Sequence, residues 1–226
     1  MSALPFDLVV FDLDGTLADT APDLAAALNH ALAHFGRPAI EAEMVRNMIG
    51  HGSRALLRKG LAATGPVSEE LVERGYGTFL DYYAAFICEG SRVYEGVDDC
   101  LDTLRAQGIR VAVCTNKPEA LTHLLLDALG WQDRFDAIVG GDTLPLRKPD
   151  PAPLREAIAR GGGGNAVMIG DSITDADTAR AAGVPFVAVS FGFSDRPVDA
   201  LGADAVVDHF DDLIPALRRL SSRLLR

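Results

Sequence analysis

Residues Val9–Thr20 read VVFDLDGTLADT. Three apolar residues, Val9, Val10 and Phe11, run into Asp12 and Asp14, which one leucine separates, and then into Gly15 and Thr16. The apolar run predicts a buried strand over Leu8–Phe11. Carboxylates at the end of such a strand are costly to desolvate, so a metal ion, a nearby cation or a phosphate chemistry must offset the cost. Beyond the strand the period changes. TAPDLAAALNHALAHFG has Thr20 as a cap, Pro22 in the first turn, apolar residues three and four apart, and Gly36 as a stop, which predicts a helix. Helical patterns follow at 41–49, 53–62 and 68–87, so residues 18–90 read as all-helical.

From Ile109 strands and helices alternate. IRVAVCTN, DAIVGG, AVMIGD and PFVAVSF read as strands, with DAVVD as a further one. EALTHLLLDALG, DPAPLREAIARGG and TDADTARAAG read as helices, and a last helix begins at Phe210. Continuous apolar strands alternating with helices predict an α/β fold with a parallel, Rossmann-like sheet covered on both faces. The first strand belongs to that sheet. The expected organisation is therefore a discontinuous core, 1–17 and 91–226, with residues 18–90 inserted as a helical cap. The glycine run 161–164 lacks a following Lys-Ser/Thr and reads as a connection, not a phosphate loop.

Parallel sheets bind ligands at the carboxyl ends of their strands. Four strand ends carry polar groups there: Asp12 and Asp14; Thr115 and Asn116; Lys148, just beyond a strand and before Pro149; and Asp171, Ser172 and Asp175. Any one could cap a helix or form a turn. Together they suit phosphoryl chemistry. Mg²⁺ favours carboxylates together with a substrate phosphate, and Lys148 would neutralise phosphate oxygens. Asp12 can act as the nucleophile that takes up the phosphoryl group. Gly15 lets the chain turn, so that the Asp14 carbonyl can face the metal and its carboxyl the leaving group.

DLDGT, CTN, KPDP and GDSITD, in that order, resemble the four motifs of the haloacid dehalogenase superfamily. The resemblance implies Asp12 as nucleophile and Asp14 as general acid and base. It implies Mg²⁺ on Asp12, the Asp14 carbonyl and Asp171, with Asp175 steadying the metal's water shell, and Thr115 and Lys148 on the phosphoryl group. It implies that the insertion is a cap of the C1 type. Within the superfamily, FDLDGTLADTAPDLAAALN and the cap segment IGHGSRALL are similar to bacterial phosphoglycolate phosphatases, which implies 2-phosphoglycolate as substrate. The candidates for substrate contact are Thr16, Gly50, His51, Gly52, Arg54, Asn116 and Ser172. Arg54 is the candidate for a substrate carboxylate.

Other members and other classes fit less well. A dehalogenase of this fold would not need Asp14. A phosphonate-cleaving relative would need a cap lysine, and Lys59 reads as a solvated helix face. A phosphosugar phosphatase or mutase is an alternative within the superfamily. A phospho-receiver switch lacks a helical insertion after its first strand. His30 and His34 are one helical turn apart without a metalloprotease glutamate, and read as a cap-helix face.

The 226 residues carry a net charge of −11, which argues against binding nucleic acid or an anionic membrane. No apolar stretch is long enough to span a bilayer, and MSALPFDLVVFD lacks the basic start of a signal peptide. Cys88, Cys100 and Cys114 show no paired or metal-type spacing. The expectation is a cytoplasmic enzyme acting on a small phosphomonoester.

Overall fold

The computed structural model describes residues 4–194 and 196–224. The start of the N-terminal stretch and the outer ends of segments 1–17 and 91–226 lie outside the described residues. In chain order the elements are β1 (Leu8–Phe11), β2 (Ala18–Asp19), α1 (Ala21–His34), α2 (Ala42–Arg46), α3 (Ser53–Thr64), α4 (Glu69–Ala85), β3 (Arg92–Val93), α5 (Val97–Ala106), β4 (Arg110–Cys114), α6 (Glu119–Ala128), β5 (Ala137–Val139), α7 (Ala152–Arg160), β6 (Ala166–Gly170), α8 (Ile173–Ala182), β7 (Phe186–Val189), β8 (Ala205–Val207) and α9 (Leu213–Leu224). Short 3₁₀ turns over Val198–Leu201 and Phe210–Asp212 flank β8. The expected last helix thus begins as a 3₁₀ turn.

The main sheet has the order β5-β4-β1-β6-β7-β8, every pair parallel. β1 lies between β4 and β6, which explains why LVVF is apolar throughout and wholly buried. Its side chains alternate between the faces. Val9 and Phe11 join Leu101 and Leu104 of α5, Leu125 of α6 and Leu217 of α9, whereas Leu8 and Val10 join Leu154 of α7 and Ala176 of α8. The sequence assigns no element to residues 97–106. The structure has α5 there, burying Val97, Cys100, Leu101 and Leu104 at helical spacing.

The four helices of the insertion pack on one another around Leu28, Leu32, Leu57, Leu61 and Phe79. This cluster also takes in Leu121 and Phe193 from the core, so the helical unit rests on the sheet's carboxyl edge. α2 is shorter than the pattern at 41–49 suggests, because the chain turns toward Gly50 after Asn47. The insertion is not helical at its root: β2 pairs antiparallel with β3, joining the outgoing and returning chains.

A buried carboxylate reinforces that root. Asp23, on the first turn of α1, accepts hydrogen bonds from the Gly90 and Ser91 amides at 2.7 and 2.8 Å and from the Ser91 hydroxyl at 2.6 Å. Removing it strands three donors, two of them on the buried Ser91. Asp23→Ala should lower the unfolding free energy by about 2–4 kcal/mol in denaturant titration, and a loss within error would show the contacts to be incidental.

Candidate active site

The loops after β1, β4 and β6 meet where β1 has its two neighbours. Asp12, Asp171 and Asp175 are all buried there, and each offers a carboxylate oxygen within 4.8 Å of the others. Lys148 is buried among them, with Nζ 2.9 Å from Asp12 Oδ1 and 2.6 Å from Asp175 Oδ1. Burial disfavours the ammonium, but Asp12 and Asp175 outweigh it and the lysine is held above its ordinary range. Burial pushes the Asp12 carboxyl up to about 7, against the pull of Lys148. Burial, then repulsion from Asp175 and Asp12, also raises Asp171, although the Phe193 amide and the Thr16 hydroxyl each donate to it.

Thr16, Ser172 and Asn116, candidates for substrate contact, are engaged within the protein. Thr16 donates its hydroxyl to Asp171 Oδ1 at 2.9 Å. Ser172 caps α8 in a reciprocal box with Asp175 and donates its hydroxyl to Asp175 Oδ2 at 2.6 Å. Thr20, expected as a helix cap, makes no capping bond and donates instead to Asp14 Oδ1 at 2.7 Å. Asn116 donates to the Lys148 carbonyl at 3.1 Å and to the Gly50 carbonyl at 3.4 Å, leaving its own Oδ1 buried without a partner.

A cavity lies between this edge and the helical unit. Asp12, Asp14, Thr115, Asn116 and Lys117 line it from the core, and Gly50, Gly52, Ser53 and Tyr83 from the other side. Its free volume is about 30 Å³, room for about two waters. Gly52 has φ of 87° and approaches so closely that a Cβ would stand 3.2 Å from the Asn116 carbonyl oxygen. The loop 50–52 therefore needs glycine to lie against the core. His51 is exposed and outside the lining. Arg54 is outside it too: it pairs with Glu73 and stacks on the Tyr76 ring.

Two features escape the sequence reading. Lys117 is buried beside Asp14 with Nζ 2.8 Å from Asp14 Oδ1. Its signal was present, as the third polar residue after β4. Gly192 packs so tightly on Asp171 that a Cβ would lie 2.1 Å from the Asp171 Cβ. Nothing local to residue 192 in the sequence points to that contact.

The haloacid dehalogenase-like hydrolase family matches residues 9–189. The chain belongs to that family. Among its relatives are a phosphoglycolate phosphatase of Caulobacter vibrioides, 46% identical with 91% of this chain and 88% of that one covered, and one of Mesorhizobium japonicum, 45% identical over 97% and 96%. A crystal structure of a predicted phosphoglycolate phosphatase from Haemophilus somnus superposes with a TM-score of 0.88 at 32% identity, covering 93% and 97% of the two chains. Among the described residues, no helix is long and apolar enough to cross a membrane.

The donor set suits a hard divalent cation. The oxygens are carboxylates, they converge, and Asp12 Oδ1 accepts no hydrogen bond although Lys148 stands at ion-pair distance. Raised carboxyls bind protons more readily folded than unfolded, so the metal-free fold loses stability as pH climbs from the ordinary carboxylate range through about 7. A bound cation removes that loss. The rise in Tm on adding a divalent cation should therefore be larger at about pH 8 than at about pH 5, by differential scanning fluorimetry. An equal rise at both would mean that the cation does not bind these acids.

Proposed function

We propose that this protein is a Mg²⁺-dependent phosphatase of small phosphomonoesters, with 2-phosphoglycolate, hydrolysed to glycolate and phosphate, as its preferred substrate. The observation that carries the reading is Asp12: a buried carboxylate at ion-pair distance from Lys148, grouped with Asp171 and Asp175 and lining a small cavity. The names of the relatives support the substrate.

Mg²⁺, held by Asp12, the Asp14 carbonyl, Asp171 and Asp175, would neutralise phosphate charge and keep Asp12 ionised. Lys148 fixes the Asp12 carboxylate and shares the charge of the phosphoryl oxygens, to which Thr115 donates. An Asp12 oxygen attacks phosphorus and the P–O bond to the substrate carbon chain breaks. Asp14 turns toward the departing oxygen and delivers its proton. Asp14 next takes a proton from a water molecule, which attacks the aspartyl-phosphate and restores Asp12. Residues 18–90 act as a cap over core segments 1–17 and 91–226, with Gly50 and Gly52 closing over the site and excluding bulk water.

Asp12→Asn should lower kcat on 2-phosphoglycolate by roughly a thousandfold or more, with Tm held or raised because a disfavoured buried charge is gone. Near-normal turnover in the folded variant would sink the mechanism. A phosphate-release screen should place kcat/KM for 2-phosphoglycolate at least roughly a hundredfold above that for ethyl phosphate, which lacks the carboxylate. Faster release from a hexose phosphate would reject the substrate and leave the phosphatase reading standing.

A further inference from the structure

The chemistry above uses one lysine, yet the site buries two. The ammonium of Lys117 lies 2.8 and 3.0 Å from the two oxygens of Asp14 and 2.8 Å from the Tyr83 hydroxyl. It also lies 4.6 Å from the centre of the Tyr83 ring. Its side chain is 2% exposed, and among the described residues it is the only lysine or arginine in the lining of the cavity. Lys148 is taken up by Asp12 and Asp175, Arg46 by Asp19, and Arg54 by Glu73.

A buried ammonium needs a charge partner, since leaving one unpaired costs several kcal/mol. Lys117 has one, Asp14, and that is the group that must turn to the leaving oxygen. While Asp14 sits on Lys117 and Thr20, both of its oxygens are engaged by the lysine and one also by the threonine hydroxyl. The pair can separate only if another anion takes the place of Asp14. A carboxylate one carbon removed from the ester oxygen supplies such an anion within the reach of a small cavity.

We propose that Lys117 is the receptor for the substrate's carboxylate and the specificity-determining residue of the site. The carboxylate displaces Asp14 from the ammonium and so frees Asp14 for the leaving oxygen. This deepens the reading of the substrate as a short phospho-acid and rests on it. A substrate without the carboxylate leaves Asp14 tied down, so discrimination falls on kcat as well as on KM. Tyr83, on α4 of the cap, holds the third side of the ammonium, so the receptor is complete when cap and core meet.

The test compares wild type, Lys117→Met and Lys117→Gln on 2-phosphoglycolate and ethyl phosphate. Glutamine keeps polar contacts to Asp14 and Tyr83 and serves if methionine impairs folding. The ratio of the two kcat/KM values should fall at least roughly thirtyfold in either variant, with part of the loss in kcat, and Lys117→Arg should restore part of it. In the inert Asp12→Asn background, calorimetry should show the Kd of 2-phosphoglycolate rising at least about tenfold on Lys117→Met, and that of ethyl phosphate far less. A wild-type preference that survives in the variants overturns the proposal and leaves the substrate reading intact. Equal losses on both esters would reduce Lys117 to positioning Asp14. No wild-type preference for the acid would overturn the substrate reading and this proposal together.

Discussion

The ammonium of Lys148, wedged between Asp12 and Asp175, is the contact on which the site depends. Without it, the buried Asp12 and Asp175 carboxylates would face each other with no cation between them, and Asp12, already raised by burial, would hold its proton still more tightly. Lys117 does the same for Asp14 on the cavity side. Four carboxylates set against two ammonium groups leave an excess of two negative charges. With all four ionised, one divalent cation would balance them, and without it the raised Asp12 and Asp171 carboxyls take up protons instead.

The sheet makes this concentration of charge affordable to the fold. β1 is sealed between β4 and β6, so Asp12 emerges from a rigid apolar frame. Support comes from neighbouring hydrogen bonds. Thr16 and the Phe193 amide orient Asp171, Ser172 orients Asp175, and Asp23 ties the root of the insertion to the returning chain. The helical insertion meets the sheet's carboxyl edge through few polar contacts at the site, Tyr83 with Lys117 and Asn116 with Gly50, and through an apolar seam at Leu121 and Phe193.

The parallel sheet, the helical insertion and the core acids were legible in the sequence because they follow from local patterns. An apolar strand ending in Asp-Leu-Asp is buried wherever it folds, and Asp171 ends its strand in the same way. What was not legible depends on the direction in which a side chain leaves a loop. The hydroxyls of Thr16 and Ser172 were expected at the substrate and instead hold carboxylates. Arg54 was expected at the cavity and instead pairs with Glu73. Lys117 follows Asn116 directly, but only the turn after β4 decides that it points inward. The contact of Gly192 with Asp171 joins two loops that only the sheet brings together.

The claim on which the mechanism stands is that Asp12 carries the phosphoryl group covalently. It is tested most directly by mixing the metal-loaded enzyme with 2-phosphoglycolate, quenching in acid within a single turnover, and locating the phosphoryl group by peptide mass spectrometry. The account predicts a phosphorylated peptide containing Asp12, formed and consumed at rates that match turnover and absent from the Asp12→Asn protein. Full turnover with no phosphoryl group on Asp12 at any quench time, or with the group on another side chain, would contradict it.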